Sequence, residues 1–489
     1  MGLFQENHQE LLGKLQINLE KIPERPKGQT WDWRKLRHEE GAGAIAETLT
    51  TAHSTKIENF DRSSIYLQSF KESLVKTMGT PRYLKGIVPT SKFEDLLQQN
   101  FLFIDDPRKI PSRNTKARAL MGDLAKNWKQ LSGENEWEGL LDPLNINLRK
   151  YIIHYGERVQ AVYDSFNHDK SSALYGFPLY APKDLFSNVG LEKGNPFKYT
   201  VTNYLYAMTD IDSSIDWIVK DQSSWIGYIA VATDEGKAAL GRRDILISWR
   251  GTLLTGEWLK DVNWPLTSAS NLLGETHHNP KPHVLSALRK LVDKYKDEEI
   301  SITITGHSLG SALATLNAVD IVSGGYNKPT GSDQACMVTA FVFASPKVGD
   351  KGFKTAFNKL SNLHLLHIRN INDIVPKLPF IFYFKVGKQF KFDTTKSTYV
   401  KADTAKRIGA LHKLENYLHG IAGTMSEESG KFELIVKRDI ALLNKGADLL
   451  KSEFGVPPEW WDPMMNKRMV QQNDGSWKLE YYVPECPSA

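Results

Sequence analysis

The feature that most constrains this chain is the pentapeptide Gly306-His307-Ser308-Leu309-Gly310, which sits between a strand pattern and a helix pattern. Before it, Ile300, Ile302 and Ile304 alternate with Ser301, Thr303 and Thr305, the period-2 signature of a strand; after it, residues 311–319 are rich in Ala and Leu and read as a helix. G-x-S-x-G in that setting describes a sharp strand-to-helix turn that holds the serine in a strained conformation with its hydroxyl exposed. Glycines two residues to either side carry no Cβ to strike the neighbouring backbone as the chain reverses. Five such residues alone occur in many ordinary loops, so the flanking strand and helix carry the assignment.

The rest of the second half repeats this rhythm. Residues 225–233 and 243–249 read as successive strands, and residues 340–345 and 363–369 as two more. Pro282 opens a helix whose apolar residues Val284, Leu288, Leu291, Val292 and Tyr295 fall on one face of a 3.6-residue period. Strands alternating with helices predict an α/β fold with a mostly parallel central sheet covered by helices on both faces. A chain of 489 residues that is 41% hydrophobic has enough apolar side chain for a large core. Residues 1–120 differ: they are polar, interspersed with Pro and charge, and helical only in short pieces. They read as an N-terminal extension, partly helical or irregular, with a basic linker at 107–118, followed by the α/β domain at 121–489.

Composition removes several function classes. No run approaches the ~20 apolar residues of a membrane-spanning helix, and the N-terminus lacks a signal-peptide core, so a soluble chain without transmembrane anchoring is expected. Cys336 and Cys486 are the sole cysteines, too few for a disulfide framework or a cysteine-only metal site, which fits a reducing cytoplasmic location. The net charge of +5 arises from 62 basic against 57 acidic residues spread along the chain. No basic, aromatic-interleaved module suggests nucleic-acid binding, and a solvated surface is the simpler expectation than attraction to anionic lipid.

A serine hydroxyl becomes a useful nucleophile when a neutral imidazole takes its proton and a carboxylate orients that imidazole. On this fold the chain order is Ser, then Asp or Glu, then His. Asp373, just beyond the 363–369 strand, is the candidate orienter, although it also reads as a turn residue ahead of Val375-Pro376. The stretch 410–423, ALHKLENYLHGIAG, supplies two candidate bases, His412 and His419, seven residues apart and so near one face of a helix. His412, nearer the start, is preferred, and His419 stays open as the alternative. His307, His364 and His367 read as structural. The backbone N–H of Leu309, at a helix start, and Thr252, after Arg250-Gly251 at a strand end, are candidate oxyanion donors. These residues point to ester hydrolysis, and no cofactor is expected.

Taken with ISWRGT, EWLKDVNW, TITGHSLGSALATLNA, FASPKVGD, RNINDIVPKLP, LHKLENYLHGIAG and WWDPMMNKRMVQQNDGSW, the sequence closely resembles the plant class II phospholipase A1 enzymes. These form a branch of the lipase class 3 family, which includes the fungal triacylglycerol lipases. The likeness runs from about Met121 to the end, which makes Met121 a candidate native start. It implies an α/β-hydrolase fold, a mobile lid over an apolar cleft, a cytosolic location and no metal. It also implies hydrolysis of the sn-1 acyl ester of glycerophospholipids at a membrane or lipid-droplet surface, some relatives acting on galactolipids or acylglycerols. By the same likeness Ser308, Asp373 and His412 take the triad positions, with Thr252 and Leu309 at the oxyanion hole. Two departures stand out: the extension matches nothing in the family, and GETHHNPKP at 274–282 replaces a segment a few tens of residues longer. The shortening raises an alternative, a catalytically impaired relative with a binding or scaffold role.

Overall fold

In the computed structural model, residues 124–207, 224–252, 283–426, 428–461 and 468–480 are described. The sheet has seven strands in sequential order: β1 Tyr199–Ala207, β2 Ser224–Ala232, β3 Arg243–Trp249, β4 Ile300–His307, β5 Met337–Phe343, β6 Leu363–Asn370 and β7 Lys388–Phe392. β1, β2 and β3 pair antiparallel, and from β3 to β7 every pairing is parallel. The expected strands are all present, each shifted by a few residues at most, while β1 and β7 are edge strands that the sequence pattern did not announce. Parallel neighbours require crossovers, and α-helices lie in three of the four: α2 (His283–Lys294) precedes β4, α3 (Leu309–Ser323) joins β4 to β5, and α4 (Lys351–Phe357) joins β5 to β6, while the β6–β7 connection has only a short 3-10 turn. The apolar face predicted for α2 is buried through Val284, Leu288, Leu291 and Val292; Tyr295 follows the helix end, and Pro282 lies outside the described residues.

The other face of the sheet carries α1 (Ile146–Asp164), capped by the Asn145 side chain, which accepts from the N–H groups of Asn147 and Leu148. The polar half of the Ile/Ser/Thr alternation in β4 is buried beneath this helix, so β4 is covered at every position. Its hydroxyls are satisfied there: Ser301 and Thr303 each donate to Asp244 Oδ1 at 2.7 Å, and Tyr155 of α1 and Tyr199 of β1 donate to Asp244 Oδ2 at 3.0 and 2.7 Å. Arg242, fully buried, stands 3.4 Å from the same carboxylate. A buried charge with that many partners costs little and fixes the register of helix on sheet.

Two later elements complete the site. α5 (Ile408–His412) and α6 (Leu414–Ala422) follow β7, and α6 packs on α1. Lys445 Nζ and Asp164 Oδ2, 2.6 Å apart and both buried, tie the C-terminal segment to the end of α1. The extension at 1–120, the shortened stretch at 274–282, EWLKDVNW and any lid within 253–282 lie outside the described residues. Among the described residues no helix is long and apolar enough to cross a membrane.

Candidate active site

Ser308 stands between β4 and α3 with φ 59° and ψ −127°, a region costly for a residue with a Cβ. The turn is tight enough that a Cβ on Gly306 would overlap the Gly310 carbonyl, and one on Gly310 the Trp249 carbonyl. The expected elbow is therefore there, including its glycine requirement. Its hydroxyl is not open to solvent, however: Ser308 is 1% exposed, and the Arg250-Gly251-Thr252 turn passes close by, where a Cβ on Gly251 would lie 3.0 Å from Ser308 Cβ. The Oγ has no hydrogen-bond partner among the described residues.

Pairing of β3 with β4 brings Trp249 beside Gly306, so the turn at 250–252 emerges next to the elbow. Thr252 is buried and its hydroxyl has no partner among the described residues. Leu309 is the first residue of α3, where a backbone N–H has no intrahelical acceptor and the helix dipole is positive. Leu309 thus follows Ser308 directly, and Thr252 is next to Gly251, which approaches it.

Asp373 lies in the β6–β7 connection, fully buried, and accepts three hydrogen bonds. His412 Nδ1 and the Tyr417 hydroxyl both reach Oδ2 at 2.6 Å, and the Val375 N–H reaches Oδ1 at 2.9 Å. The two readings from the sequence are compatible, since the Val375 bond closes a turn while the His412 bond leaves the carboxylate able to orient an imidazole. A carboxylate accepts, so Nδ1 of His412 carries the proton in this pair and Nε2 is the basic nitrogen. Tyr417 remains a donor, because burial and then the adjacent Asp373 push its phenol far above the usual range.

The predicted helix over 410–423 is a correction. Lys413, with φ −63° and ψ 133°, breaks it, and His412 ends α5 while His419 lies inside α6. Two asparagines hold the break: Asn370 Nδ2 donates to the Leu411 carbonyl at 3.2 Å and Asn416 Nδ2 to the Ala410 carbonyl at 3.1 Å. The two imidazoles consequently share no helix face. His419 sits away from Asp373, its Nε2 2.7 Å from Ser397 Oγ and its ring between Tyr399 and Phe432.

A positioning network missed by the sequence joins the three site segments. His307 Nε2 lies 2.8 Å from the His412 carbonyl, which can only accept, so this nitrogen donates. Nδ1 is then the acceptor for the Tyr163 hydroxyl at 2.9 Å, and Tyr163 in turn accepts the Gly251 N–H at 3.0 Å. Burial, followed by the nearby His412, holds His307 well below the normal histidine range, consistent with this neutral tautomer. The chain from Gly251 through Tyr163 and His307 to His412 fixes the oxyanion turn, the elbow and the base segment against one another. A histidine inside G-x-S-x-G was the available signal; Tyr163, one of three tyrosines on an amphipathic helix, offered none. His364 and His367 are buried in β6, as expected of structural residues. No group of three or more His, Cys, Asp or Glu among the described residues is arranged to hold a metal.

Residues 246–383, which include Thr252, Ser308 and Asp373, match the lipase (class 3) family model. Phospholipase A1-IIgamma of Arabidopsis thaliana is 44% identical over 392 residues, covering 73% of this chain and 93% of its own. Phospholipase A1-IIalpha of the same plant is 42% identical over 73% of this chain and 92% of its own, and Phospholipase A1-II 6 of Oryza sativa subsp. japonica 43% identical over 73% and 96%. Among solved structures, the nonglycosylated Yarrowia lipolytica LIP2 lipase aligns at 17% identity over 50% of this chain and 79% of its own, with a TM-score of 0.33. The relatives' coverage and identity make the family plain: this chain is a carboxylic ester hydrolase of the lipase class 3 family, belonging to its plant class II phospholipase A1 branch.

Proposed function

We propose that the chain releases the sn-1 fatty acid of glycerophospholipids, with Ser308 as nucleophile, His412 as base, Asp373 as its orienter, and Thr252 and the Leu309 N–H as oxyanion donors. The observation that carries this reading is the 2.6 Å bond between His412 Nδ1 and Asp373, on a segment that His307, the residue beside Ser308, anchors by its own bond to the His412 carbonyl. In the first half-reaction Ser308 Oγ attacks the acyl carbonyl carbon and gives its proton to His412 Nε2, while the carbonyl oxygen takes the negative charge beside the two donors. Collapse breaks the bond to the glycerol oxygen, which takes the proton from His412 and leaves as a lysophospholipid. Water then gives its proton to the same nitrogen, attacks the acyl-enzyme and frees the fatty acid, returning the proton to Ser308. Asp373 stabilises the transient imidazolium throughout.

The relatives' phospholipase A1 names support the positional preference and the phospholipid class. The same relatives support an active enzyme over an impaired one with a binding or scaffold role. We place the reaction in the cytoplasm at a glycerolipid surface, a membrane or lipid droplet; the scarcity of cysteine supports the compartment. Phosphatidylcholine with different acyl chains at its two positions tests the reading. The sn-1 chain is expected free, and Ser308→Ala is expected to lower release by about 10⁴- to 10⁶-fold. Release of the sn-2 chain would overturn the positional claim, and undiminished release by Ser308→Ala the nucleophile.

A further inference from the structure

The β6–β7 connection does more than carry Asp373. Seven residues on, its tip exposes three consecutive large apolar side chains, Phe380 at 67%, Ile381 at 67% and Phe382 at 74%, and Ile371 and Phe384 nearby are also exposed. Scattered exposed apolar residues need no explanation, but a run of three on one protruding turn forms a patch. The turn is fastened rather than loose. The Lys347 N–H donates to the Leu378 carbonyl at 2.8 Å, Lys347 Nζ to the Pro379 carbonyl at 2.7 Å, and the Phe384 N–H to the Gly349 carbonyl at 2.8 Å. Lys347 follows the carboxyl end of β5, so the tip is held at the edge of the sheet where Ser308 and Asp373 also emerge.

Cations surround this tip. Lys347 and Lys385 stand where an open cleft of about 740 Å³ leaves Tyr383 and Phe384; it runs past Lys354 and Lys388 toward the start of β6 at Leu363, away from the edge bearing Ser308, with Glu136, bonded to His364, as its one carboxylate. Lys377 and Lys391 are exposed alongside. The cluster repels itself: Lys385 is held below the ordinary lysine range by burial and then by Arg369, Lys391, Lys347 and Lys377, and Lys347 by burial and Arg369. Asp350, near Tyr383, is engaged in capping α4 through the Phe353 N–H. Of the 62 basic residues, these lysines lie close together within residues 347–391.

We infer that the 377–391 segment is the docking surface for an anionic phospholipid bilayer, Phe380, Ile381 and Phe382 entering the acyl boundary while Lys377, Lys385 and Lys391 meet the headgroups. A convex apolar tip ringed by lysines suits that partner: the apolar side chains leave water for the acyl region, and lysines near an anionic surface add attraction that salt screens. Because the tip and Asp373 share one connection, docking brings the lipid to the edge of the sheet that holds the site. This inference rests on the lipid substrate proposed above.

The test is co-sedimentation of the full chain with vesicles of phosphatidylcholine alone and of equimolar phosphatidylcholine and phosphatidylserine, alongside turnover of a short-chain soluble ester. The intact chain is expected to bind the anionic vesicles far more tightly, and salt to weaken that binding. Combined Lys377→Gln, Lys385→Gln and Lys391→Gln is expected to weaken it about 10²-fold, and combined Phe380→Ser, Ile381→Ser and Phe382→Ser at least about tenfold. Both variants should keep near-normal turnover of the soluble ester, which reports that they are folded with an intact site. No vesicle binding by the intact chain, equal binding to both vesicle types, or unchanged binding by both variants would overturn the docking surface and leave the catalytic reading standing. Anionic-selective binding without ester turnover by the intact chain would do the reverse.

Discussion

His412 and His419 lie seven residues apart, on α5 and α6, and both are almost fully buried, at 1% and 3% exposure. They differ in what meets the ring. His412 faces the Asp373 carboxylate, which can stabilise an imidazolium, whereas His419 faces the neutral Ser397 hydroxyl between two aromatic rings. Burial, followed by the Arg438 charge, pushes His419 down to about 3, so it stays neutral near neutrality. Burial alone therefore does not distinguish a base from a packing residue; a charged partner on the far nitrogen does.

The largest effect that can break this comparison comes from the partners. Asp373→Asn is expected to lower kcat by about 10⁴-fold, by removing the charge and favouring the wrong tautomer. His419→Gln should keep kcat within about tenfold and instead lower the melting temperature, at a cost of about 1 to 3 kcal/mol for a disturbed buried hydrogen bond. Equal losses of kcat in the two variants would erase the distinction.

A smaller effect sharpens it. Tyr163→Phe leaves the buried Gly251 N–H and His307 Nδ1 without their shared hydroxyl, which loosens the oxyanion turn against the segment bearing His412. A fall of about 10- to 10²-fold in kcat on a soluble ester, with KM little changed, is expected, matching about 1 to 3 kcal/mol for unsatisfied buried groups. A lowered melting temperature with normal kcat would reduce Tyr163 to a purely structural residue.

The smallest effect is on acid stability. His419 and His367 are both pushed to about 3 in the fold from an ordinary value of 6.5, chiefly by burial. Below about pH 6.5 the unfolded chain binds protons that the fold refuses, so their contribution is complete above that pH and declines as pH falls toward 3, by about 1.4 kcal/mol per pH unit for each group. Urea midpoints at about pH 7.5 and pH 5 should therefore fall on acidification, and less steeply in His419→Gln. A midpoint that rises toward pH 5 would contradict the sign.

Much of the fold was legible because its signals are local. The strand at 243–249 is observed at those residues, and α2 buries the face its periodicity marked. The Ile/Ser/Thr alternation of β4 was legible as a strand, but its polar face meets Asp244 and α1 rather than water. The helix over 410–423 was misread where tertiary contacts override propensity: Asn370, from a different strand, takes up a carbonyl freed at the break. Tyr417 and Tyr163 were illegible as site residues, because an aromatic at helical spacing is the ordinary content of a core.

What the sequence determined by itself is the elbow and the chain order of its partners, since a strand, a glycine-flanked turn and a helix are set by the backbone preferences of adjacent residues. Only the tertiary structure decided which histidine meets Asp373 and which tyrosines hold the site. Those facts depend on contacts between residues 39 to 144 positions apart, such as Asp373 with His412 and Tyr163 with His307. Partners at such separations meet only after the sheet has assembled, so no local pattern of residues encodes them.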